Sequence, residues 1–284
     1  MQEMELRFQA GIDYESFIKL YTLRLEDLKV QIPSALDQWF IENGRNSQEK
    51  KLAVLSNEFR EKSIDRYQLE ILEADSQIST LQAKLSKKTT KTAQSSLDAK
   101  TRKRERLQAK ISEIKSDKQS ARIFPMSYAP LIVEQNGKRQ IIMARYQVAS
   151  EFESFNARRD SLQKKTTWRP LFGKSHGLLV FTRFFEWVQH DGKKIMISFQ
   201  PKGHDIMWAP CMYKRHENVG PDAFAMITDD PPPEVLQAGH DRCPIFLKKE
   251  NIDSWLAPGN FSLDQIDAMF DEKVDTIFEN RVVA

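Results

Sequence analysis

Little in this sequence announces a covalent framework or a cofactor. Only two cysteines, Cys211 and Cys243, occur in 284 residues. Two are too few for a disulfide framework, and no CxxC pair or Cys/His cluster with zinc spacing accompanies them. The expectation is no metal, no cofactor and a reducing, cytoplasmic setting. No apolar run approaches the ~20 residues of a membrane span, so no membrane partner is expected. The opening stretch Met1-Gln2-Glu3-Met4-Glu5 is acidic with no apolar run behind it, unlike a signal peptide. Charge of one sign is also lacking. With 43 basic and 40 acidic side chains the net charge is +3, so a basic surface has to come from local clustering.

The longest stretch without glycine or proline, between Gly44 and Pro125, divides the chain. From about Ser47 to Arg122 the sequence is Lys, Arg, Glu, Gln, Ser and Leu, which suits long exposed helices. Ile71, Ala74, Ile78, Leu81 and Leu85 fit the a and d positions of a heptad. Leu97, Arg104, Leu107, Ile111 and Ile114 fit a second seam, after a polar, basic break at Lys87–Thr92. Two seams joined by such a break predict an antiparallel helical hairpin over 45–122, a coiled coil inserted in the fold. Arms of ~30–38 residues would run roughly 45–57 Å at 1.5 Å per residue. The second arm gathers Lys100, Arg102, Lys103, Arg104, Arg106 and Lys110, a pattern that fits a solvated helix face and phosphate contact equally.

On either side the pattern is mixed. Phe17, Leu20, Tyr21, Leu25 and Leu28 recur at helical spacing before Pro33, and a short helix around Leu36, Trp39 and Phe40 stops at Asn43-Gly44. Beyond Ile123, Leu131–Val133 and Ile141–Met143 flank Asn136-Gly137, a strong hairpin signal. Gly177–Phe181 and Ile195–Phe199 lie either side of Asp191-Gly192, another turn dipeptide. Phe224–Thr228 and Pro244–Leu247 are further short strands, and Trp255 and Phe270 mark short helices. The expected fold is α+β: residues 1–44 and 123–284 form a core around a curved, mostly antiparallel sheet, with the hairpin inserted.

Three stretches could carry chemistry. They are Phe155-Asn156-Ala157-Arg158, Phe185-Glu186-Trp187 and Gly239-His240-Asp241-Arg242-Cys243-Pro244. Each has a plain structural reading. Asn156 suits a turn or cap, and His240 beside Asp241 suits local hydrogen bonding. Side chains alternate along a strand, so Glu186 would face away from its aromatic neighbours, into solvent if those are core.

Taken in order, these stretches resemble the SOS-response-associated peptidase (SRAP) family, over most of residues 122–260. The resemblance implies a barrel-like core and a protein that recognises abasic sites in single-stranded DNA as part of the DNA damage (SOS) response. In that family an N-terminal Cys adds its amine and thiol to the sugar aldehyde, giving a thiazolidine crosslink. It also implies roles: Asn156 orients the nucleophilic amine, Glu186 acts as general acid/base, and His240 assists opening of the sugar ring. Arg7, Arg158 and Arg242 match positions that face the DNA backbone or buttress the site, with internal salt bridging as the plainer reading.

The family begins Met-Cys-Gly-Arg-Phe, whereas the nearest stretch here is Met4-Glu5-Leu6-Arg7-Phe8. Glu5 stands at the nucleophile's position. The stretch Arg122-Ile123-Phe124 likewise lacks the family's tyrosine and asparagine. A 1,2-aminothiol is needed for the thiazolidine, since an amine alone gives a reversible imine. Three readings follow. The first is an abasic-site processing protein with imine or lyase chemistry from the amine of Met1, in the family's nominal hydrolase or peptidase class. The second is a non-catalytic scaffold whose hairpin engages a protein partner or self-associates. The third is an unrelated α+β enzyme.

Overall fold

The computed structural model describes residues 1–148, 155–216 and 222–283. Two compact units emerge, Met1–Ser16 with Ile123–Ala284, and Phe17–Arg122. The division lies upstream of residue 44, where the composition shifts. Helices α2 (Tyr14–Glu26) and α3 (Ser34–Asn43) explain this. Phe17 and Tyr21 meet Phe40 edge-on at 5.9 and 6.0 Å. The Arg24 guanidinium lies 3.5 Å from the Phe59 ring centroid, on the long helix that follows. Each such buried aromatic stabilises by about 1.5–3 kcal/mol relative to exposure, so α2 and α3 are held with that helix.

The hairpin is formed by α4 (Ser47–Lys87) and α5 (Lys91–Lys115), with Asn46 and Thr90 as side-chain N-caps. Its arms are unequal, 41 and 25 residues rather than ~30–38 each. At 1.5 Å per residue α4 runs roughly 60 Å. The extra length lies at its start, where Leu52 and Ser56 are buried and Arg60 donates to Gln38 of α3 at 2.8 Å. The seam follows the apolar period. Ala74, Ile78 and Leu107 are buried, and Ile71, Leu81, Leu97, Ile111 and Ile114 are half-buried. Lys103–Glu70 at 3.1 Å and Arg104–Asp75 at 3.3 Å cross between the helices.

In the other unit, α1 (Gln2–Phe8) buries Met4 and Phe8, and β1 (Gly11–Ile12) lies parallel to β3. β2 (Tyr128–Gln135) and β3 (Lys138–Tyr146) form the expected hairpin. Asn136 and Gly137, at φ 53° and 71°, make the left-handed turn that such a tight connection needs. β2 also pairs with β5 (His176–Phe181), β5 with β8 (Met207–Lys214), and β8 with β9 (Ala223–Asp229). β9 returns to β3 through Arg145↔Ala223 and Tyr146↔Phe224, closing the sheet into a ring. The short β4 (Asn156–Arg158) runs parallel beside β9, and β10 (Cys243–Pro244) antiparallel to it. One alternating set fills a core cluster: Leu131, Ile142, Ala144, Tyr146, Cys211, Phe224 and Met226.

A second, three-stranded sheet holds β6 (Phe184–His190), β7 (Lys193–Pro201) and β11 (Phe278–Val282), with β6 and β7 turning at Asp191-Gly192. This corrects the expected layout. The strand facing Ile195–Phe199 is β6 itself, while Gly177–Leu179 belong to the ring. Phe185-Glu186-Trp187 is therefore mid-strand. Of the Pro244–Leu247 run only Pro244 joins a strand. Short helices α6 (Pro233–Gln237), α7 (Ile252–Leu256) and α8 (Leu263–Ala268) complete the unit. The α+β architecture with a curved antiparallel sheet and a long helical hairpin is as expected. Among the described residues no helix is long and apolar enough to cross a membrane.

Candidate functional site

Alternation along β6 places Glu186 on the same side as Phe184 and Val188. Those two are buried in a cluster with Ile197, Cys243 and Phe246, while Trp187 is 48% exposed. The plainer reading, Glu186 in solvent with the aromatics in the core, does not hold, since Glu186 and Phe185 are both half-buried and Trp187 is exposed. The buried phase of the strand is set by residues 184 and 188, two positions either side of the carboxylate, not by its immediate neighbours.

Opposite Glu186, His240 is delivered by a helix ending. After α6, Gly239 takes φ +94°. The Gly239 N–H donates to the Leu236 carbonyl at 2.9 Å, and the His240 N–H to the Val235 carbonyl at 3.2 Å. These are the two bonds of a Schellman cap, whose left-handed position favours glycine. The chain then turns so that His240 Nε2 lies 3.0 Å from Glu186 Oε2, and Nδ1 lies 2.9 Å from the Arg242 carbonyl. Both ring nitrogens face acceptors, an arrangement only the doubly protonated imidazolium satisfies. Burial lowers the imidazole pKa. The Glu186 hydrogen bond, the Arg242 carbonyl and the charges of Glu186 and Asp241 outweigh it, and His240 titrates above its ordinary value.

Asn156 enters from β4, in register with Met226. Its Oδ1 accepts from the Tyr146 hydroxyl at 2.6 Å. The Tyr146 ring stacks on Phe224 at 5.0 Å and meets Phe155 edge-on at 5.8 Å. Burial raises the Tyr146 phenol pKa well above its usual value, and the charges of Cys211 and Glu186 raise it further. The Glu186 charge is thus felt at Tyr146, and the three predicted residues and Tyr146 fall into two hydrogen-bonded pairs, Tyr146–Asn156 and Glu186–His240. Sequence reading missed Tyr146. Its one signal was a tyrosine three residues beyond the strand predicted at Ile141–Met143.

The arginines sit differently. Arg158 pairs with Asp160 at 3.1 Å and Asp230 at 3.2 Å. Arg242 approaches Asp241 at 3.9 Å and leaves 45% of its side chain exposed. Arg7 pairs with Glu3 at 3.4 Å and lines a depression of about 1030 Å³ with Lys138, Arg139 and Asp253, to which none of Asn156, Glu186 and His240 contributes. Glu5 lies within α1. That helix packs through Phe8 on Trp208, ring centroids 5.6 Å apart. Trp208 packs on the cluster holding Phe184, Val188 and Cys243. Both cysteines are buried. Burial pushes the Cys243 thiol up to about 12, with Glu234, Glu186 and Asp229 adding to it against Lys273. Burial likewise raises Cys211. Neither is an activated nucleophile. Among the described residues no group of three or more His, Cys, Asp or Glu could hold a metal ion.

The ring-closed α+β core thus carries a half-buried carboxylate hydrogen-bonded to a histidine. Residues 86–283 match the family model of the SOS response associated peptidase (SRAP), and the chain belongs to that family. Over 121 residues it is 26% identical to the abasic site processing protein YobE of Bacillus subtilis, covering 42% of this chain and 55% of that protein. The abasic site processing protein YoqW of Bacillus phage SPbeta is 26% identical over 121 residues, with 42% and 54% covered. The chain spans about half the length of the curated relatives it matches. A solved structure from Bacteroides thetaiotaomicron is similar at TM-score 0.46 and 20% identity, covering 56% of this chain and 75% of that one. A phage-related protein from Bordetella bronchiseptica is similar at TM-score 0.48 and 16% identity, covering 59% and 83%.

Proposed function

We propose that this chain recognises abasic sites in single-stranded DNA, with Asn156, Glu186 and His240 handling the opened sugar, in the DNA damage response of a cytoplasmic setting. The observation that carries this reading is the Glu186–His240 pair, 3.0 Å apart, whose carboxylate charge is felt at Tyr146, the hydrogen-bond partner of Asn156. An abasic sugar must open before its aldehyde reacts, and ring opening needs a proton delivered to the ring oxygen. A His240 imidazolium supplies it, and Glu186 then accepts and returns protons as an amine adds and water leaves. Asn156 orients the amine. With both thiols buried, the product is an imine open to hydrolysis or β-elimination, not a thiazolidine. Arg7, Arg158 and Arg242 would contact or buttress the DNA backbone.

The test is to mix the chain with abasic single-stranded DNA, with and without borohydride. An adduct trapped only with borohydride, and reduced about 100-fold in rate by Glu186→Gln, is expected. The second reading is a non-catalytic scaffold, favoured by the buried cysteines and by Glu5 at the nucleophile's position. Absence of both adduct and binding would establish it.

A further inference from the structure

Charge along the α4–α5 hairpin is divided. Near its base α4 carries balanced pairs, Glu58–Lys62 at 3.0 Å and Arg66–Glu70 at 3.0 Å. From Ser76 to Lys110 there are ten basic and two acidic side chains; Glu70 and Asp75, which pair with Lys103 and Arg104, reduce this local +8 to +6 in a chain whose total is +3, so the remainder is net acidic. A solvated helical hairpin needs no such separation, because alternating signs give the i,i+4 pairs that support exposed helices. Among the described residues, the side chains of Lys84, Lys87, Lys88, Lys91, Arg102 and Arg106 are exposed and have no ion-pair partner. Lys91, Arg102 and Arg106 fall on one side of α5, since eleven and four residues are close to whole turns at 3.6 residues each.

We propose that this distal half of the hairpin is a binding arm for the phosphate backbone of undamaged double-stranded DNA. The arm is a surface additional to the Glu186–His240 site. Only the choice of DNA over RNA rests on the abasic-site reading. Three features select a duplex among polyanions. No aromatic residue occurs from Gln68 to Ile123, and Tyr67, at the inner end of the arm, is taken up by Lys110 at 5.3 Å, so the arm has no free platform for the unstacked bases of a single strand. Its apolar side chains, Ile78, Leu81, Leu85, Leu97 and Leu107, are taken up in the seam, leaving no apolar face for a lipid surface. The basic run of α5 from Lys91 to Lys110 extends roughly 29 Å, a length over which a duplex presents about 17 phosphate charges in a regular array.

The experiment measures binding of the full chain to a short undamaged DNA duplex by fluorescence anisotropy across a salt series. The comparison is a variant carrying Lys87→Gln, Lys88→Gln, Lys91→Gln, Arg102→Gln and Arg106→Gln. Its helix content is checked by circular dichroism. We expect the variant to lose at least ~10-fold in affinity and to flatten the log–log salt slope by about 4 to 5, one counterion per phosphate contact removed. The same variant should retain any borohydride-trapped adduct with abasic single strands, so a failed arm and a failed sugar site read out separately. Unchanged duplex affinity and slope in the folded variant would overturn the proposal. So would tighter binding of the unmodified chain to duplex RNA, to polyglutamate or to vesicles rich in phosphatidylserine.

Discussion

His240 has an acceptor at each ring nitrogen, and its charge follows from that placement. Because its folded pKa is raised, the bond to Glu186 contributes stability that is fully present below the unfolded value of about 6.5. That contribution is lost as pH rises through the folded value. Glu186→Gln removes the carboxylate charge, and the His240 titration followed by NMR should move down; an unmoved midpoint would contradict the assigned cause. Gly239 sets where the imidazole lands. Gly239→Ala places a Cβ on a left-handed residue at a cost of about 1–2 kcal/mol and should lower the midpoint of urea unfolding accordingly. It should also displace the His240 titration, which strain elsewhere in the fold would leave alone. Asn156, Glu186 and His240 were singled out because three short stretches came in a recognisable order. Tyr146 was not, because its partner lies ten residues on, and the two strands meet only through a third, β9.

Among the elements, the hairpin was the most readable. A heptad period is local, and the residues it marks are those the seam protects. Its arm lengths were not readable, because the first turns of α4 are held by α3, and packing between elements leaves no period. The orientation of Glu186 shows the same limit on a strand: alternation was expected, but its phase was set by Phe184 and Val188. At the base of the helical unit, Arg24 donates to both oxygens of Asp37 at 2.8 and 2.9 Å with both side chains buried. Removing one member strands the other's charge, so Asp37→Ala should cost about 3–5 kcal/mol. Urea unfolding monitored at 222 nm measures it; a loss below ~1 kcal/mol would mean that Arg24 reaches water after the change.

At the scale of the whole molecule, α+β class and the inserted hairpin could be read from composition and turn dipeptides, whereas ring closure entered only as the barrel-like core that the family resemblance implies. Closure depends on β3 meeting β9 through Arg145↔Ala223, residues with no local signature of pairing. β9 is hydrogen-bonded in turn to β3, β4, β8 and β10. Tyr146 is brought to Asn156 by two of those pairings, and the loop carrying His240 is anchored by a third. Helices form from local contacts and fold fast, while pairings distant in sequence wait on loop closure. In stopped-flow refolding the helical signal at 222 nm should therefore recover before the protection of the Tyr146 and Ala225 amides in pulsed hydrogen exchange. Simultaneous recovery would show β9 forming as early as the helices. The order matters beyond kinetics: a nascent or partly refolded chain carries its complete basic hairpin while the groups around Glu186 are still apart.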